Sequence, residues 1–94
     1  DVASAVTCLL NYEGAERVFN VGSGQGHSIN DIIALLKNCM TVPEPRHVPA
    51  RGFDVASNVL DTSRLTTETS WRCAIPLGEG IVRVYHSMRE AMKQ

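Results

Sequence analysis

Residues 18–33 have the sequence VFNVGSGQGHSINDII, which predicts a short strand, a glycine turn and a helix in direct succession. The β-branched and aromatic residues of 18–21 are typical of a buried strand, and the three glycines of 22–26 favour a tight turn. Ser28 is the expected helix N-cap, with Asp31 three residues later as in a capping box. A turn before a helix N-terminus can also bind an anion. Because His27 replaces the last glycine of the dinucleotide fingerprint, a turn that requires positive φ is the plainer interpretation.

Helical patterns flank this stretch on both sides. Residues 1–11 form one predicted helix, with Val2, Val6, Leu9 and Leu10 on its apolar face. The helix that begins at Ser28 is expected to end near Asn38. A short helix is predicted over 61–70 with Asp61 as its cap, followed by Trp71 as a core anchor, and a last helix is predicted to begin at Pro76. Prolines at 43, 45 and 49 favour an extended path, with a short edge strand over 46–48.

Composition limits what the chain can be. Its 94 residues are enough for one small domain, and 44% hydrophobic and 20% charged residues are ordinary for a folded domain. A net charge of −1 argues against a nucleic-acid surface, and no apolar run is long enough to span a bilayer. The start of the chain does not resemble a signal peptide, and we expect it to begin partway through a longer sequence. Three widely spaced cysteines predict reduced thiols in a cytoplasmic protein, without a zinc site.

Known catalytic motifs are not found in the sequence, which has no nucleophile elbow, zinc-protease motif, Walker loop or Tyr-x-x-x-Lys pair. We therefore predict no catalytic, cofactor-binding or metal-binding residue. One polar cluster stands out in the proline-rich stretch, and it consists of Arg46, His47, Arg51 and Asp54. Arginine suits forked recognition of phosphate. A turn at Gly52-Phe53, with Phe53 packed as an anchor, would bring Arg51 and Asp54 together. The alternative is a solvated loop with an idle surface ion pair.

The order of these pieces resembles the NAD-dependent epimerase/dehydratase family, the extended short-chain dehydrogenases that include UDP-glucose 4-epimerase. Residues 18–33 are similar to a late strand–turn–helix of that family. Residues 51–55 (RGFDV) resemble its Arg-x-x-Asp segment, and 58–64 (NVLDTSR) its following cap and helix. Trp71 and residues 77–81 (LGEGI) resemble its tryptophan and the opening of its last helix. Each motif is weak alone, but their common order makes the resemblance specific.

The resemblance implies an α/β fold, namely a C-terminal fragment of an extended Rossmann-type dehydrogenase that is helix-rich with a few short, partly parallel strands. Residues 1–38 would then be the end of the Rossmann-type sheet with its helices, and 39–94 the substrate-binding subdomain. The implied function is the nucleotide-sugar-binding portion of a sugar epimerase or dehydratase. In that role Arg51 would grip the diphosphate and Asp54 would accept hydrogen bonds from ribose hydroxyls.

The same resemblance implies that NAD is bound elsewhere in the parent enzyme. The family carries its NAD loop and its Tyr-x-x-x-Lys pair in an N-terminal Rossmann domain. We therefore expect this chain alone to have no NAD affinity and no turnover. Its expected partners are the nucleotide sugar, the missing Rossmann domain and a second copy, because an unpaired edge at 18–21 and an apolar helix face favour a dimer or strand-exchanged species. The alternative is a free-standing truncated relative that acts as an interaction or structural module.

Overall fold

The computed structural model describes residues 1–93, and it contains four helices joined by extended segments and turns. Helix α1 is Val2–Leu10, α2 is Ile29–Leu36, α3 is Ser63–Glu68 and α4 is Leu77–Met92. The predicted helix-rich architecture is confirmed, with each helix slightly shorter than its sequence pattern. None of the four is long and apolar enough to cross a membrane.

The predicted few short strands are wrong, because neither 18–21 nor 46–48 forms a strand and none occurs elsewhere in residues 1–93. A strand requires a ladder of backbone hydrogen bonds to a neighbour, and strand propensity mainly reports side-chain packing. At Val18 a side chain takes the place of a neighbouring strand, since the Arg64 guanidinium donates to the Val18 carbonyl at 3.0 Å. The prolines at 43, 45 and 49 flank the second segment, and each lacks the backbone N–H that would extend a hydrogen-bond ladder beyond it.

The chain divides into two compact units that are interleaved in sequence. Unit 1 consists of residues 1–26 and 57–75, and unit 2 consists of residues 27–56 together with the chain from Pro76 onward. The sequence-based division is a different one. It assigns residues 1–38 to the end of a Rossmann-type sheet and 39–94 to a substrate-binding subdomain of a larger protein, and it stays a prediction.

Unit 1 is built around a small core in which Ala5, Leu65 and Trp71 are buried. Trp71 is 4% exposed, which confirms its predicted role as an anchor. Its indole N–H donates to the Asp1 carbonyl at 3.1 Å and to Ser4 Oγ at 2.9 Å, so the start of α1 is tied to the segment that follows α3.

The buried face of α1 differs from the predicted one. Ala5 is fully buried with Cys8 and Leu9 beside it, whereas Val2 and Val6 are 64% and 54% exposed. Both sets recur at helical spacing, so the pattern alone does not decide between them. The small side chain of Ala5 packs in the buried cluster with Trp71. This packing buries the face of α1 that contains Ala5, Cys8 and Leu9.

Unit 2 pairs α2 with α4. The predicted capping box is confirmed, because Ser28 Oγ accepts from the Asp31 N–H and Asp31 Oδ2 accepts from the Ser28 N–H, each at 3.0 Å. These hydrogen bonds, led by that from the Ser28 backbone, lower the pKa of the Asp31 carboxyl. A Cβ added to Gly78 would lie 3.4 Å from Leu35, so a glycine allows the first turn of α4 to approach α2 closely.

Candidate functional site

The segment 51–54 folds into a turn, as its sequence predicts. The Asp54 N–H donates to the Arg51 carbonyl at 3.2 Å, with Gly52 and Phe53 at the tip of the turn. This geometry places the two charged side chains on the same side of a solvent-exposed loop of unit 2.

Arg51 and Asp54 form an ion pair with two parallel contacts. Arg51 Nε donates to Asp54 Oδ2 at 3.0 Å, and Arg51 Nη2 lies 2.8 Å from Asp54 Oδ1. The two side chains are 68% and 42% exposed, so water screens the pair and its contribution to folding is about 0–1 kcal/mol. An ion pair this weak can open or share its partners when a ligand arrives.

Phe53 is not the packed anchor that the sequence suggests, because it is 78% exposed. Its ring lies instead beneath the arginine, with the Arg51 Cζ 4.8 Å from the ring centroid. The guanidinium therefore contacts a carboxylate along one edge, and its central carbon lies over an aromatic ring. Arg46 and His47, the other members of the predicted cluster, are exposed and make no side-chain hydrogen bond to this turn within residues 1–93.

The glycine turn at 22–26 has the structure of a packed turn in unit 1. Gly24 has φ +76°, in the left-handed region that favours glycine, which confirms the need for positive φ. A Cβ on Gly26 would lie 3.0 Å from Val59 Cγ2, and one on Gly22 would lie 3.5 Å from Leu60 Cδ1. Side chains of Val59, Leu60 and Thr62 therefore lie against the turn, and close packing accounts for Gly26, whereas a Cβ at position 22 would make an ordinary contact.

A polar cleft of about 470 Å³ lies in unit 1, and sequence reasoning did not find it. Its lining comprises Glu16, Val18, Asn20, Asp61, Ser63, Arg64, Thr67 and Glu68. Its charges are used internally, since Arg64 Nη1 contacts the Val18 carbonyl at 3.0 Å and Glu16 Oε2 at 3.5 Å. Thr62 is the N-cap of α3 in place of the predicted Asp61, but Asp61 Oδ1 still accepts from the Ser63 N–H, which lowers the pKa of the Asp61 carboxyl. These contacts give the charged groups of Arg64, Glu16 and Asp61 structural roles within the cleft.

An apolar groove of about 540 Å³ lies between α2 and α4 in unit 2. It is lined by Leu36, Met40, Leu77, Gly80, Ile81, Val84, Tyr85, Met88, Arg89 and Met92. Apolar residues recur along α4 at helical spacing, and part of this apolar face remains open, with Met88 61% and Met92 83% exposed.

Metal-binding geometry is not found in residues 1–93, where no three His, Cys, Asp or Glu side chains converge. The three cysteines are free thiols. Cys73 is exposed, and its thiol donates to Asp1 Oδ2 at 3.2 Å.

Comparison with known proteins finds relatives among enzymes of nucleotide-linked sugars. A dTDP-4-dehydro-6-deoxyglucose reductase of Escherichia coli is 32% identical over 95 aligned positions, which cover 95% of this chain and 28% of the relative. A UDP-glucose 4-epimerase of Corynebacterium glutamicum is 31% identical over 74 positions, which cover 76% of this chain and 22% of the relative. The chain thus spans about a quarter of the length of these curated relatives.

These matches confirm the predicted resemblance to epimerases and related proteins. No protein-family model matches the chain. No solved structure matches it significantly.

Proposed function

We propose that this chain, a relative of epimerase- and reductase-like proteins, is the nucleotide-sugar-binding C-terminal portion of an NAD-dependent sugar epimerase, dehydratase or reductase. The names of both relatives specify a sugar carried on a nucleoside diphosphate, dTDP in one and UDP in the other. The chemistry common to the two is therefore the diphosphate and the attached nucleoside. A site for the diphosphate and the nucleoside needs a cation with several N–H donors, such as a guanidinium, and a hydrogen-bond acceptor. Both occur in the turn 51–54.

The observation that carries the proposal is the geometry of Arg51 and Asp54. Asp54 occupies the Nε and Nη2 edge of the guanidinium, and within residues 1–93 no hydrogen bond from Nη1 is found. A phosphate can therefore approach the Nη1 side while Asp54 holds the opposite edge. A guanidinium has five N–H donors in a fixed plane, so it can serve both anions at once. Each carboxylate oxygen of Asp54 also keeps a lone pair that can accept a ribose hydroxyl.

Hydride chemistry belongs outside this chain in our proposal. NAD needs an open cradle of backbone N–H groups, whereas Gly26 of the glycine turn packs closely against Val59. The described residues therefore do not fit this cofactor, and we assign them substrate binding alone. The spacing of the three cysteines supports a cytoplasmic setting, in which thiols stay reduced.

Arg51→Ala in the complete natural protein tests the assignment. Loss of a charge-assisted hydrogen bond of about 1.5–3 kcal/mol should raise the Michaelis constant for the nucleotide sugar, and the Kd for UDP or dTDP, roughly ten- to a hundredfold. Arg51→Lys should recover only part of the affinity, because an ammonium cannot make the forked contact. Calorimetry with UDP and dTDP measures the Kd directly.

Arg83→Ala is the matched control for this experiment. Arg83 is also an exposed arginine of unit 2 and is paired with an acidic residue, Glu79, but it belongs to α4 and has no part in the ion pair of the turn. We expect the control to leave Kd within twofold of the parent value. If Arg51→Ala behaves like this control, Arg51 is an ordinary surface arginine and the site assignment fails.

The second candidate function is an interaction or structural module that acts without a nucleotide. The open apolar groove between α2 and α4 favours it, since exposed apolar surface often marks a docking site. The same calorimetry separates the two functions. A complete natural protein that binds neither UDP nor dTDP would favour the module, and a Rossmann sequence directly upstream in the reading frame would eliminate it.

A further inference from the structure

Phe53 is an unusual residue for the tip of an exposed turn. Its side chain is 78% exposed, so burial in a core does not account for it in unit 2. Its main interaction is with the Arg51 guanidinium, whose Cζ lies 4.8 Å from the ring centroid. This distance is within the range of a cation–π contact, in which the negative face of the ring attracts the cation.

The two neighbours restrain different motions of Arg51. Asp54 holds the guanidinium along its Nε and Nη2 edge, which fixes the direction of its plane. The Phe53 ring lies below the Arg51 Cζ and attracts the cation, which opposes movement of the guanidinium away from the ring. A free arginine on a loop has many rotamers and loses that freedom when it binds an anion. An arginine that is already restrained before binding loses less conformational entropy when the anion binds.

We infer that Phe53 is a positioning residue, which stacks under Arg51 and presents the Nη1 side of the guanidinium to the phosphate of the ligand. This inference rests on the proposed function, because it assumes that Arg51 binds the diphosphate. Phe53 acts through Arg51 and does not itself touch the ligand. The aromatic ring matters more than its volume, since an aliphatic side chain of similar size has no negative face to attract the cation.

The stack can be detected in the complete natural protein before any ligand is added. The ring current of Phe53 should shift the NMR signals of the Arg51 δ and ε protons upfield of the positions they take in Phe53→Leu. Equal shifts in the two proteins would overturn the inference, because they would mean that the ring does not lie over the guanidinium in solution.

Binding of UDP then tests the consequence of the stack. Phe53→Leu should raise the Kd for UDP about two- to fivefold, the size expected for an exposed cation–π contact. Phe53→Tyr should retain the parent affinity. Val55→Ala is the matched control, since Val55 is 76% exposed on the same loop and has no aromatic ring that could attract the guanidinium. We expect that control to leave Kd unchanged.

A double-mutant cycle separates positioning from direct contact. In an Arg51→Ala background, Phe53→Leu should have no further effect on Kd, and a full additional loss would overturn the inference by showing that Phe53 touches UDP itself. If Arg51→Ala weakens binding but Phe53→Leu does not, only the positioning role fails. If Arg51→Ala leaves the Kd unchanged, the proposed function fails and the positioning role fails with it.

Discussion

Trp71→Phe should destabilise unit 1 by about 2 kcal/mol, which is a large share of the stability of a domain this small. Trp71 is 4% exposed and, among residues 1–93, shares its core with two other buried residues, Ala5 and Leu65. The substitution keeps an aromatic ring in the core. It removes the indole N–H, which donates to both the Asp1 carbonyl and Ser4 Oγ.

The expected loss of about 2 kcal/mol in the free energy of unfolding is the sum of a lost hydrogen bond and a new cavity. A net hydrogen bond contributes about 0.5–1.5 kcal/mol. Its acceptors are not left unsatisfied, because the Asp1 carbonyl also accepts from the Ala5 N–H at 2.9 Å and from the Ser4 hydroxyl at 2.7 Å. The smaller ring leaves a cavity of roughly 40 Å³, which at about 24 cal/mol per Å³ costs about 1 kcal/mol. The two terms together come to about 2 kcal/mol.

Urea unfolding followed by far-UV circular dichroism measures the effect. Helical signal is needed because Trp71 is the only tryptophan and its replacement removes the intrinsic fluorescence probe. We expect the midpoint to fall by about 1 M urea. Ser4→Ala is the control, because it removes one of two acceptors and should cost less than about 1 kcal/mol. A Trp71→Phe protein as stable as the parent, or a Ser4→Ala protein equally weakened, would refute the proposed role of the indole N–H.

Three further predictions concern α2, acid stability and assembly. Ser28→Ala should cost about 1 kcal/mol by removing the N-cap, measured as a lower thermal midpoint. The carboxyl pKa values of Asp31 and Asp61 are lowered by folding, so their contribution is present above the unfolded pKa near 3.9 and is lost as pH falls through the lower folded values. Unfolding titrations should therefore show stability falling below about pH 4, less steeply in Asp31→Asn. The exposed Val2 and Val6 favour self-association, and a clean monomer in light scattering would contradict this expectation.

Local signals explain which parts of the fold could be predicted. The capping box joins Ser28 to Asp31, and the turn at Gly52-Phe53 joins residues three apart, so the sequence contains both partners of each interaction. A strand depends on a distant neighbour, and the β-branched residues of 18–21 gave no information on whether one is present. Propensity therefore predicted a strand where the backbone is held by the side chain of Arg64.

The candidate site also has one part that the sequence predicted and another that only the folded structure shows. Arginine and aspartate three residues apart indicated a binding pair, but their two-point contact is seen only in the folded turn. The sequence suggested that Phe53 would be buried, because phenylalanine usually is. Its stack under Arg51 depends on the direction in which the turn projects both side chains. Spacing along the chain does not specify that direction.

By itself, the sequence determined where the four helices lie, how α2 begins and which proteins the chain resembles, because helices and caps depend on contacts three or four residues apart. The tertiary structure alone decided which face of α1 is buried and what replaces the predicted strand. The contacts of Trp71 with Asp1 and Ser4 span 70 and 67 residues. Such contacts form only when the whole of unit 1 packs, because closing so long a loop must be offset by many interactions made together.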